Sequence, residues 1–163
     1  MLCSSFSKTL APGFRVGWIA PGKYRSKVTH IKYVTSSMCP TLPQLAIASF
    51  IRQGGYDKHL RNMRQKYRKA RDTMLKGIKQ YFPEGTLVSY PEGGFVLWVE
   101  LPSQYDAVKL AEQAKTKGVI VAPGQLFSAT GKYRNCLRLN YNDKDNDTRM
   151  RGLKILGEIM RAM

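Results

Sequence analysis

The sequence predicts an α+β fold in which helices pack on a small sheet. Three observations predict it. Stretch 56–81 carries apolar residues at steps of three and four, the spacing of one helix face. Short apolar segments at 94–101, 119–122 and 135–141 have strand length and are bounded by proline, glycine or polar residues. The order of elements is two strands, three helices, two strands, a helix, two strands and a helix, with no internal repeat and no low-complexity segment.

Residues 1–20 read as two short strands around a loop. Leu2-Cys3 leads in, 14–20 leads out, Pro12-Gly13 punctuates the loop and Pro21-Gly22 closes the second strand. Segment 23–35 is expected as a helix, with Val28, Ile31 and Val34 on one stripe. Ser36-Ser37-Met38-Cys39-Pro40 breaks it. Thr41 reads as an N-cap, and Thr41-Leu42-Pro43-Gln44 has capping-box form with proline in the first turn. That helix should end at Gly54-Gly55. The long helix follows, with Leu60, Met63, Tyr67, Ala70, Met74, Ile78 and Tyr81 on its apolar face, and Pro83-Glu84-Gly85 stops it. A short strand is expected at 86–90. The run from Gly94 through Leu101 is apolar on both faces, as in a covered strand, and Pro102 ends it. Segment 106–117 predicts a helix with Ala107, Leu110, Ala111 and Ala114 inward and Gly118 at its end. Strands at 119–122 and 135–141 flank the Pro123-Gly124 turn. The acidic start at 143–148, Asp143 included, favours a helix N-terminus, and 149–163 continues it with Met150, Leu153, Leu156 and Ile159 inward. A domain boundary is expected near 40–55.

The chain has 163 residues, enough for a real core, and 43% hydrophobic and 23% charged composition reads as globular. No stretch approaches the roughly 20 apolar residues of a membrane span, and the N-terminal apolar part stops at Ser4, too early for a signal peptide. Cys3, Cys39 and Cys136 are an odd count without CxxC spacing. They argue for a reducing, cytoplasmic setting and against a disulfide framework or zinc site. With only His30 and His59, a histidine-based metal site is not expected, and no metal ligand is assigned. The net charge is +16, and nine of the 27 basic residues fall within 56–80. A solvated helix face accounts for them; a nucleic-acid contact is the competing reading.

Two basic residues stand out. Lys8 lies in Ser5-Phe6-Ser7-Lys8-Thr9-Leu10-Ala11-Pro12-Gly13-Phe14-Arg15, among hydroxyl residues and with an arginine downstream. Hydroxyls donate to a phosphate, a guanidinium grips one bidentately, and a lysine amine in a partly dry pocket beside another cation becomes a usable nucleophile. Arg138 lies in Leu137-Arg138-Leu139-Asn140-Tyr141, an arginine inside a strand otherwise built for burial. Such a residue needs an anionic partner, either a protein carboxylate or a bound one.

The Lys8 stretch resembles the cofactor-lysine motif of fold-type I pyridoxal-phosphate enzymes, the aminotransferase class I/II superfamily. The resemblance runs on through Leu42-Pro43-Gln44-Leu45-Ala46-Ile47-Ala48, Gly54-Gly55-Tyr56-Asp57-Lys58-His59-Leu60-Arg61, Gly94-Phe95-Val96-Leu97-Trp98-Val99-Glu100-Leu101-Pro102 and Tyr133-Arg134-Asn135-Cys136-Leu137-Arg138-Leu139-Asn140. Within the superfamily these stretches look most like MocR-type regulators of the GntR superfamily, which fuse a winged-helix DNA-binding domain to an aminotransferase-like domain. Aminotransferases of the 2-aminoadipate and aromatic type share many of them. The resemblance implies pyridoxal 5′-phosphate as cofactor, Lys8 as the Schiff-base lysine, Ser5, Ser7 and Arg15 on the phosphate, and Arg138 on a substrate or effector carboxylate. Gly124 and Phe127 would lie near the substrate entrance. Residues 1–45 would be the incomplete tail of the large cofactor-binding domain, and 46–163 the small domain. The expected partners are an amino acid or other amine, DNA only through a domain absent from this chain, and a second copy in a full-length homodimer. The expected function is effector sensing by a regulator, with the chain unable to transaminate alone; the alternative is part of an amino-acid aminotransferase.

Overall fold

Two sheets organise the structure, a computed structural model that describes residues 1–142 and 145–163. They fall in two compact units, Met1–Met63 and Arg64–Met163. Among the described residues no helix is long and apolar enough to cross a membrane.

In the first unit, β1 (Leu2–Ser5) and β2 (Gly17–Ala20) pair antiparallel, with Leu2 opposite Ala20 and Ser5 opposite Gly17. Glycine fits at 17 because a Cβ there would sit 2.9 Å from the Ser4 carbonyl oxygen. The connection holds more order than its Pro12-Gly13 pair suggests: a one-turn helix, α1 (Phe6–Thr9), and a 3-10 turn over Pro12–Phe14. A second 3-10 turn, Gly22–Tyr24, leads into α2 (Arg25–Ser36), followed by α3 (Thr41–Arg52) and the start of α4 (Gly55–Tyr81).

Thr41 is not the cap of α3. Pro40 holds the extended cap position, with φ −54° and ψ 128°, and Thr41 is already helical. A proline there supplies neither a side-chain acceptor nor an N–H, so the capping box does not form. Gln44 Nε2 instead donates to the carbonyls of Cys39 and Pro40, at 3.3 and 3.0 Å. Gly54, at φ 70°, ends α3. A side chain at Gly55 would strike the Phe50 ring. The stripe of α2 exists but is not buried: Ile31 and Val34 are exposed.

In the second unit, β3 (Leu87–Val88), β4 (Val96–Glu100), β5 (Ala122–Pro123) and β6 (Cys136–Asn140) form one sheet in the order β3-β4-β6-β5, antiparallel throughout. Alternation gives the two faces different jobs. Leu97 and Val99 on β4 face Leu139 and Leu137 on β6, and all four are in the core. Met74 and Ile78 of α4, Ala107, Leu110 and Ala114 of α5 (Ala107–Thr116), and Leu153, Leu156, Ile159 and Met160 of α6 (Asn146–Ala162) complete it. The opposite face carries Trp98 and Arg138, both half-buried. Strand β4 is therefore covered on one side, not on both, because all three helices contribute to the same core.

Two glycines bring α4 and α6 together. A Cβ at Gly77 would lie 2.6 Å from Leu153, and one at Gly157 would run into the Tyr81 carbonyl oxygen. Asp106 caps α5 by accepting from the Val108 and Lys109 N–H groups, and Asp145 caps α6 through the Asp147 N–H. Asp143, part of the expected acidic start, lies outside the described residues. Strand β5 is shorter and later than the pattern at 119–122 implies. Gly118 turns at φ 76°, and the Val119 N–H bonds back to the Ala114 carbonyl, so the start of that segment still closes α5.

Candidate functional site

Lys8 is the third residue of α1. Ser5 caps this turn, its Oγ accepting from the Ser7 N–H at 3.1 Å. A hydroxyl that accepts in this way keeps its own O–H to donate elsewhere. The Ser5–Gly17 pairing and the bond from the Phe6 N–H to the Val16 carbonyl, 2.9 Å, bring Arg15 to the same end of the hairpin as the Lys8 turn. Arg15 sits at φ 52°, a conformation non-glycine residues rarely take. It is exposed and makes no ion pair among the described residues. Ser7 is buried, and Lys8, the next position around the helix, is exposed. The partly dry pocket expected around this amine is thus not made by the described residues.

The turn is braced from the start of α4. The Phe6 and Tyr56 rings meet edge to face at 5.6 Å, the Tyr56 hydroxyl donates to Thr9 Oγ1 at 2.9 Å, and His59 Nε2 lies 3.0 Å from the Thr9 carbonyl. Sequence reasoning missed Thr9, Tyr56 and His59 as supports. The contact spans 47 positions from Thr9 to Tyr56, and no local periodicity reports on it.

Arg138 belongs to the second unit, opposite Trp98 on β4 and Ala122 on β5. Its guanidinium carbon is 4.7 Å from the centre of the Phe127 ring. Its Nε is buried with no hydrogen-bond partner. Among the described residues the ion pairs are Arg71–Asp72 and Arg134–Asp106, so Arg138 has no protein carboxylate. Glu100, next along the same face by register, stands opposite Cys136. An orphaned buried N–H on a cation is costly and calls for an acceptor. Arg138 also borders an open cavity of about 590 Å³ lined in addition by Asn140, Thr148, Arg149 and Gly152. The donor set therefore suits a small anion at Arg138. An amine, hydroxyls and an unpaired guanidinium around the Lys8 turn suit a phosphorylated aldehyde.

A profile for aminotransferases of class I and II matches residues 1–153. Over its whole length the chain is 47% identical to YjiR, an uncharacterized HTH-type transcriptional regulator of Escherichia coli K12, and covers 35% of it. It is 35% identical to aromatic-amino-acid aminotransferase 1 of Thermococcus litoralis over 96% of the chain and 38% of that protein. Its fold matches LysN, the α-aminoadipate aminotransferase of Thermus thermophilus, solved with N-(5′-phosphopyridoxyl)-L-leucine: TM-score 0.90, 30% identity, 98% of this chain and 41% of that one. The chain thus spans little more than a third of the length of the relatives it matches.

Proposed function

Since the chain belongs to the aminotransferase class I and II family, whose cofactor is pyridoxal 5′-phosphate, we propose that it forms part of the effector-sensing domain of a transcriptional regulator. In this reading residues 1–45 are the tail of the cofactor-binding large domain and 46–163 the small domain. Lys8 holds the cofactor, Ser5, Ser7 and Arg15 its phosphate, and Arg138 takes the carboxylate of an amino acid or related amine. DNA contact belongs to a region outside these 163 residues, in a cytoplasmic homodimer. The identity to an HTH-type regulator over the whole chain supports the regulatory role. The observation that carries the ligand role is Arg138, a half-buried cation whose Nε has no partner.

When bound, pyridoxal phosphate supplies an electrophilic carbon for amines and an electron sink for charge developing at Cα. The chain's own groups do the rest. The Lys8 amine anchors the cofactor. The Ser5 hydroxyl donates to phosphate oxygens while its Oγ still caps α1, and Arg15 adds the charge. Arg138 fixes the ligand by its carboxylate, which orients Cα. Regulation requires ligand contacts that differ between two states of the protein; Arg138 is one such contact.

Likeness to the Thermococcus and Thermus enzymes favours a second reading, a piece of an amino-acid aminotransferase. There Lys8, once free, takes and returns the proton at Cα. One experiment serves both. The chain is mixed with pyridoxal phosphate, reduced with borohydride and mapped by mass spectrometry. A pyridoxyl adduct is expected on Lys8 and absent from Lys8→Ala, with no amino acid consumed. An adduct that persists in Lys8→Ala overturns the cofactor assignment, and turnover of an amino acid by the chain moves the assignment to the enzyme.

A further inference from the structure

Arg138 does not stand alone on its face of the sheet. Phe127 closes the 3-10 turn Gly124–Phe127 that follows β5, and its ring lies against the guanidinium at 4.7 Å. Trp98, directly opposite Arg138 in the ladder, meets Phe127 edge to face at 5.8 Å and 71°. The Trp98 ring also meets Tyr133 at 5.3 Å and 86°. The remaining cross-strand neighbour of Arg138 is Ala122, which is too small to fill the space beside it.

The turn bearing Phe127 is itself held in place. Gly124 is buried, and a Cβ there would meet the Tyr133 carbonyl oxygen at 2.6 Å and the Cys136 Cβ at 2.8 Å. Tyr133 takes φ 65°, a conformation that large side chains avoid. The close approach of the two backbones thus locks the turn to the entry of β6, two residues before Arg138.

From this arrangement we infer that Phe127 is the positioning residue for Arg138: its ring holds the guanidinium flat, so that its in-plane N–H edge is presented to a planar, two-oxygen carboxylate. The inference rests on the carboxylate role proposed for Arg138 and adds the group that aims it. A free arginine side chain loses considerable rotamer freedom when it grips a ligand. Here the stack supplies much of that order beforehand, and the fork geometry then matches a carboxylate with two parallel hydrogen bonds. Among the described residues no carboxylate is ion-paired with Arg138: Asp106 pairs with Arg134 and Asp72 with Arg71.

The test uses the full 163-residue chain and NMR of the Arg138 Nε–Hε group, with 2-aminoadipate as the probe. In the wild type this group should be rigid on the nanosecond scale and should shift on titration. Phe127→Leu keeps an apolar side chain at a site that is 43% exposed, so its backbone spectrum should match the wild type. It should nevertheless loosen Nε–Hε and weaken the probe by about threefold to tenfold, the range of a cation–π contact. Phe127→Tyr, which keeps the ring, should restore both. Arg138→Lys, which has no Nε–Hε group, is followed by its backbone amide shifts over Cys136–Asn140 and should not respond to the probe. If Phe127→Leu is as rigid and binds as tightly as the wild type while Arg138→Lys is silent, the positioning role is overturned and the carboxylate role stands. If the wild type does not respond, or Arg138→Lys responds equally, the carboxylate role falls and the positioning role with it.

Discussion

A methyl group added at Gly124 would sit 2.6 Å from the Tyr133 carbonyl oxygen, inside any tolerable contact. At Gly13 the same group would meet nothing within 4 Å. Gly124→Ala should therefore cost about 1–3 kcal/mol, as overpacking does, whereas Gly13→Ala should stay within about 0.5 kcal/mol. Urea unfolding of the two variants measures this; equal midpoints would show that the turn yields freely. Individual residues were also where the sequence spoke most directly about the site. Lys8 and Arg138 announce themselves because a cation in apolar or hydroxyl-rich company needs a reason. The Phe127 stack was illegible for the opposite reason. The resemblance set Phe127 near the substrate entrance, but nothing in the sequence pairs its ring with Arg138 until the fold brings them within 4.7 Å.

Caps and periods decide the elements, and Asp106 is the clearest cap. Its carboxyl is held below the usual carboxylate range, chiefly by the Lys109 N–H, with the Val108 N–H and Arg134 adding to it and desolvation opposing. A folded pKa below the unfolded one stabilises at pH values above the unfolded value, about 3.9, and the contribution vanishes as pH falls through the folded value. Asp106→Asn keeps an acceptor but does not titrate. The stability advantage of the wild type over this variant should thus shrink as pH is lowered from about 6 to about 3, and an advantage that grew on acidification would contradict the assignment. Asp106→Ala should cost about 1 kcal/mol at neutral pH. Helices were legible because their stripes are long: Leu60 through Tyr81 gives α4 nearly residue for residue. The errors came where two local signals competed. At α3 a proline outranked a threonine for the cap, and at β5 the glycine exit of α5 delayed a β-branched run. Neither outcome follows from composition, since both depend on which residue first leaves helical geometry.

Across the whole molecule the apolar burial is uneven. Of the described hydrophobic residues that are fully buried, Ile47 alone belongs to Met1–Met63, and the core cluster lies within Arg64–Met163. Strands β1 and β2 are exposed along their whole length, and α2 has no buried residue. Burial of an aliphatic side chain contributes roughly 1.5–3 kcal/mol, so the first unit should open at lower cost than the second. Brief trypsin digestion should cut first at the exposed Arg25, Lys27 and Lys32 and leave a resistant fragment containing 64–163; cleavage within 96–140 at the same rate would refute this. Part of the charge of +16 is concentrated on one helix. On α4, Lys58, Arg61, Arg64, Lys66, Arg68, Lys69, Lys76 and Lys79 are all exposed, and Arg71 alone of the nine is ion-paired among the described residues. They form an exposed basic face, opposite the stripe that enters the core. Strand β6 sets what such a molecule can inherit. Leu137 and Leu139 hold the core while Arg138, between them, faces away. On the proposed reading, a descendant that substitutes Arg138 loses recognition of the carboxylate and keeps its fold. One that deletes a single residue of this strand turns the leucines outward and loses both together.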